Sequence, residues 1–79
     1  VSEQSSHDSP VDGRVEFRNL PTIRDSRGRL IGMAPTGGEI AIVDADGRDR
    51  SLHKVPFGAA LSVADGVAVS KGDRLADWD

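Results

Sequence analysis

The sequence predicts an all-β fold: a small barrel or sandwich of short antiparallel strands and hairpins, with little or no helix. Three observations predict it. Apolar and polar residues alternate at a period of two, as in Arg14-Val15-Glu16-Phe17-Arg18. Turn signals recur at short intervals, among them Asp25-Ser26-Arg27-Gly28, Asp46-Gly47, Asp65-Gly66 and Lys71-Gly72-Asp73. Beyond residue 12 the longest stretches free of Gly and Pro, residues 39–46 and 48–55, are eight residues each. A typical helix needs ~11–12.

Residues 1–12 are Ser-rich and acidic, with Glu3, Asp8 and Asp12 and no Lys or Arg. So few apolar groups cannot offset the entropy of ordering, and the stretch reads as a disordered lead-in. Residues 13–79 read as one β domain. Val15 and Phe17 mark a half-buried strand, Asn19-Leu20-Pro21 interrupts it, and Thr22-Ile23-Arg24 resumes an extended path. After the Asp25–Gly28 turn, Leu30, Ile31 and Met33 form the return strand, which Ala34-Pro35-Thr36-Gly37-Gly38 ends. Residues 39–44 are the most β-prone, through Ile40, Ile42 and Val43. Asp46-Gly47 turns the chain into residues 48–55, with Leu52 and Val55 facing inward, and Pro56 ends that strand because it cannot donate to a ladder. Three apolar pulses follow, around Leu61 and Val63, Val67 and Val69, and Leu75, closed by Trp78. Asp12-Gly13-Arg14, Arg27-Gly28-Arg29 and Asp46-Gly47-Arg48 echo one another as hairpin grammar.

Seventy-nine residues make one domain, and a chain this short buries only ~60% of its unfolded surface. It contains no cysteine, which fits a reducing compartment. No apolar run approaches the ~20 residues of a membrane span. The first residue, Val1, suggests an excised fragment or a processed product. The net charge of −3 comes from residues 1–12; the other acidic residues balance the ten basic ones. A neutral body argues against a domain built mainly to grip nucleic acid, and Arg14, Arg18, Arg24, Arg27 and Arg29 read as a solvated strand face.

Chemistry is sparse. Ser51, His53 and Asp49 could be written as a triad, but they lie on one predicted strand and its approach, where alternation should separate them. His7 has no metal-ligand cluster at suitable spacing. Asp44, Asp46 and Asp49 lack the ligand spacing and terminal Glu of a calcium loop and read as turn residues. Thr36-Gly37-Gly38 lacks the Lys-Ser/Thr of a phosphate loop. Phe17, Phe57 and Trp78 read as core packing rather than a base-stacking platform. No residue is therefore assigned to catalysis, to a cofactor or to a metal. Two alternatives stay open: a carrier domain and a nucleic-acid-binding small barrel. Asp65-Gly66-Val67, Val69, Lys71-Gly72-Asp73 and Leu75 resemble the end of biotinyl and lipoyl carrier domains, but Met33 has no Lys beside it, Lys71 sits in a turn and Lys54 abuts Pro56.

Residues 13–20, Leu30, residues 39–48, the run Lys54-Val55-Pro56-Phe57-Gly58-Ala59, Leu61, Asp65-Gly66, Val69, Gly72, Leu75-Ala76 and Trp78-Asp79 together resemble one module. It is the first sandwich-barrel hybrid repeat inserted in the trigger loop of the proteobacterial RNA polymerase β′ subunit. The resemblance covers residues 13–79. It implies a barrel-sandwich hybrid followed in the family by a second repeat, within a DNA-directed RNA polymerase. That parent is a nucleotidyltransferase using magnesium, with zinc elsewhere, in the bacterial cytoplasm at the nucleoid. The implied role is non-catalytic: a mobile appendage that modulates trigger-loop movement, pausing, transcript cleavage and factor response. The implied partners are the other polymerase subunits and secondary-channel factors, with DNA and RNA through the parent complex and no membrane.

Overall fold

A computed structural model describes residues 5–78. Nine strands form two antiparallel sheets, and no helix occurs among the described residues. The strands are β1 (Ser6–Asp8), β2 (Gly13–Arg18), β3 (Thr22–Arg24), β4 (Leu30–Gly32), β5 (Gly38–Val43), β6 (Asp49–Val55), β7 (Ala60–Leu61), β8 (Ala68–Val69) and β9 (Arg74–Asp77). A five-stranded sheet runs β1-β9-β7-β4-β3 and a four-stranded sheet runs β6-β5-β2-β8. The two sheets face each other without closing into a barrel. The all-β expectation holds, and the open form is a sandwich.

The core lies between the sheets. Val15, Leu20, Ile40, Ile42, Val55, Ala59, Leu61, Val69, Leu75 and Ala76 form one buried cluster, with Val11, Phe17, Leu30, Val63 and Trp78 packed against it. Alternation sends Val15 and Phe17 inward beside their cross-strand partners Ile42 and Ile40. Ala41 and Val43 are also buried, but they face the other way, beside Glu16 and Arg14. The long polar side chains of that outer face keep water off them.

The hairpin echo resolves into two identical turns and one look-alike. In β3–β4, Asp25 Oδ1 accepts from the Arg27 and Arg29 amides and the Gly28 amide donates to the Asp25 carbonyl. In β5–β6, Asp44 Oδ1 accepts from the Asp46 and Arg48 amides and Gly47 donates to the Asp44 carbonyl. Gly28 and Gly47 sit at φ 81° and 80°, the left-handed region that Asp-x-x-Gly-Arg supplies without a Cβ penalty. Gly13 serves differently: a Cβ there would lie 2.6 Å from the Val43 carbonyl oxygen, so close approach of β2 to β5 demands it.

Three expectations need correction. Part of the lead-in is ordered: β1 pairs antiparallel with β9, Ser6 opposite Asp77 and His7 opposite Ala76. Its order comes from the backbone rather than from apolar burial. The Ser9 amide donates to the Asp73 carbonyl, Gly72 donates to the Ser9 carbonyl, and the buried Ser9 hydroxyl donates to the Val11 carbonyl at 2.6 Å. Residues 1–4 and Asp79 lie outside the described residues. Phe57 is not a core residue; it is 58% exposed. Pro56 ends β6 as expected, but the Ala59 amide then donates to the Pro56 carbonyl and Gly58 takes φ 85°, which holds Phe57 at the tip of a tight turn. Leu52, expected to face inward, is 49% exposed on the outer face opposite Ala41.

Candidate functional site

A small group of polar and aromatic side chains meets where β1, the edge of one sheet, adjoins β6, the edge of the other. Register places Ser51, His53 and Val55 of β6 opposite Ile42, Ile40 and Gly38 of β5, so these three face inward at the open side of the sandwich. His7 reaches them from β1. Its Nε2–H donates to the Lys54 carbonyl at 2.9 Å, because a carbonyl can only accept. The His7 ring lies 5.0 Å from the His53 ring and 5.2 Å from Trp78. The His53 Nε2 and the Ser51 hydroxyl are 3.1 Å apart. Desolvation, and then the proximity of His7, push His53 below the ordinary imidazole range.

Beside this cluster opens a groove of about 600 Å³ lined by Asn19, Gly38, Glu39, Lys54, Pro56 and Trp78. Thr36 and Gly37 also line it, so the Gly-rich stretch shapes a groove wall. Asn19 is the one described non-glycine residue at positive φ, 51°, and it turns the chain out of β2. Lys54 and Glu39 are cross-strand neighbours, so the groove carries both signs of charge.

Ser51 and His53, two residues apart on β6, share a face as a period of two requires, which corrects the expectation that alternation separates the three residues of the paper triad. Asp49 is the one that leaves, and the cause is a β-bulge: Ile42 pairs Ser51, while Val43 pairs Asp49, so Arg50 is an extra residue. The bulge turns Asp49 to the outer face. There Arg18 donates to both of its carboxylate oxygens, at 2.7 and 2.6 Å. Those bonds hold the Asp49 carboxyl below the usual carboxylate range, and they keep Arg18 firmly charged, with Glu16 adding to the effect. No described carboxylate bonds His53, so the Ser–His contact lacks the orienting group that nucleophilic catalysis needs.

The other residues singled out by type are scattered. The Lys71 amide donates to Asp12 within the β8–β9 turn, and Met33 is half-buried beyond β4. Asp44 and Asp46 belong to the β5–β6 turn. Among the described residues no three His, Asp or Glu side chains are grouped to hold a metal ion. Sequence reading missed the His7–His53–Trp78 contact, because its members are far apart in the chain: the β1–β9 pairing brings His7 to Trp78, and the approach of the two sheet edges brings His7 to His53.

No protein-family model matches the chain. It is 38% identical over 76 residues to the DNA-directed RNA polymerase subunit beta' of Hydrogenovibrio crunogenus (strain DSM 25203 / XCL-2), a match that spans 96% of the chain. It covers only 5% of that relative's length. The chain is homologous to one short segment of an RNA polymerase β′ subunit, a local match that fits a fragment or an insertion domain of a much longer protein.

Proposed function

We propose that this domain is the non-catalytic insertion in the trigger loop of an RNA polymerase β′ subunit, and that it biases trigger-loop movement during transcription. The observation that carries the reading is the match along 96% of the chain to 5% of a β′ subunit. The local geometry supports it. β1 and β9 are antiparallel neighbours with Ser6 opposite Asp77, and the Trp78 amide donates to the Ser5 carbonyl at 2.9 Å. Cross-strand Cα atoms lie about 5 Å apart, so the domain can be spliced into a host loop without spreading the loop's ends. A folded mass hung on a moving loop shifts its open–closed equilibrium through contacts that differ between the two states. In this reading the magnesium, zinc and catalytic side chains belong to other segments. The other subunits and secondary-channel factors are the partners, and the setting is the bacterial cytoplasm.

The test is an in-frame deletion of the segment from β′ in the assembled polymerase, with the flanks rejoined. Nucleotide addition should persist while pause lifetimes, transcript cleavage or factor response change. Unchanged values in all three assays would overturn the reading.

A further inference from the structure

The geometry points to a pH-sensitive latch: His7 and His53 close one side of the sandwich by holding β1 against β6, and protonation of both rings releases β1. The inference rests on the fold and is independent of the polymerase reading.

The contact is the only described side-chain bond between the adjoining sheet edges β1 and β6, the His7 Nε2–H to the Lys54 carbonyl. Charge on His7 alone leaves that bond intact, because the Nε2–H still donates. Charge on both rings sets two cations 5.0 Å apart. His53 has little means of escape: it is half-buried on the inner face, and the group it bonds is the neutral Ser51 hydroxyl. The charged groups on the surrounding elements are Lys54 on β6, Glu39 opposite it on β5, and Asp77 on β9. The Asp8–Arg74 pair lies one step along β1. Asp8 is already engaged by Arg74 at 2.6 Å, and Glu39 stands across from Lys54, so none is hydrogen-bonded to either imidazole.

The sign follows from burial. Burial and then the neighbouring His7 hold His53 below its ordinary value of 6.5; release of β1 removes the His7 contribution, so the released state binds more protons as the pH falls. Docking is fully favoured above that value and is lost as the pH drops through and below it. The strand that the latch holds is short. It is three residues long, pairs with β9 alone and has a register irregularity between His7 and Asp8.

Amide hydrogen exchange on the 79-residue chain at pH 8 and pH 5, corrected for intrinsic exchange rates, tests the latch. Protection over residues 6–8 should fall on the order of tenfold relative to β5, the scale set by like charges at this spacing in a partly exposed site. His53→Gln keeps a polar partner for Ser51 and cannot charge, so it should abolish the difference. Three results would overturn the latch: equal relative protection at both pH values, an undiminished response in His53→Gln, or a loss at pH 5 shared equally by β5. Should the variant fold poorly, the emission of Trp78 in the unmodified chain serves instead. A midpoint below that of free histidine supports the latch, and a flat response from pH 8 to 5 overturns it.

Discussion

β5 and β1 are held by opposite means. β5 sits inside its sheet between β2 and β6, and Ile40, Ala41, Ile42 and Val43 are all buried to within 1% exposure. β1 sits at an edge, is half-buried at best, and holds through backbone bonds, one buried hydroxyl and two aromatic contacts. Apolar burial is non-directional and summed over area, so β5 should fail only when the whole domain fails. Directional bonds at an edge can break one at a time. One domain thus contains a globally stable part and a locally releasable one.

Three substitutions or conditions probe that contrast. The largest effect belongs to Ile42→Ala, which empties a fully buried site and should cost about 2–5 kcal/mol. Urea unfolding followed by circular dichroism should show a much lower midpoint, with exchange rising in every strand together. A loss confined to β5 would break the comparison. Ser9→Ala removes the bond to the Val11 carbonyl and should cost about 1 kcal/mol. Its exchange increase should concentrate at residues 6–13, and a uniform increase would mean that β1 is not separable. The smallest effect is acidic. The Arg29 and Arg27 amides hold the Asp25 carboxyl below its ordinary value of 3.8, and Arg18 does the same for Asp49. Carboxyls depressed in the folded state contribute stability that is present above the ordinary value and lost as the pH falls below it. The urea midpoint should therefore decline between pH 5 and 2.5, less steeply in Asp49→Asn. This window lies below the one in which His53 acts.

The sequence made β5 easy to read and β1 nearly invisible. Ile40, Ile42 and Val43 carry their β-branching and periodicity in adjacent letters, and Asp-x-x-Gly-Arg encodes its own turn. Ser6-His7-Asp8 contains no such signal; its partners are Arg74, Ala76 and Asp77. Phe57 misled because an aromatic residue is a good core candidate by type, yet Pro56 and Gly58 fix a turn whose tip points to solvent. The paper triad failed for a reason that alternation could not supply: the bulge at Arg50 reverses the face of Asp49 while leaving Ser51 with His53. The cluster at the β1–β6 contact was illegible for the same cause as β1 itself.

The adjacency of Ser6 and Asp77 also has a mechanical side. A pull on the chain at these two points acts on the β1–β9 ladder from one end. Its bonds then come under load in succession, as in a zipper, rather than all together as in shear. Tension applied at Ser6 and Asp77 should therefore open the β1–β9 ladder before it disturbs the buried β5.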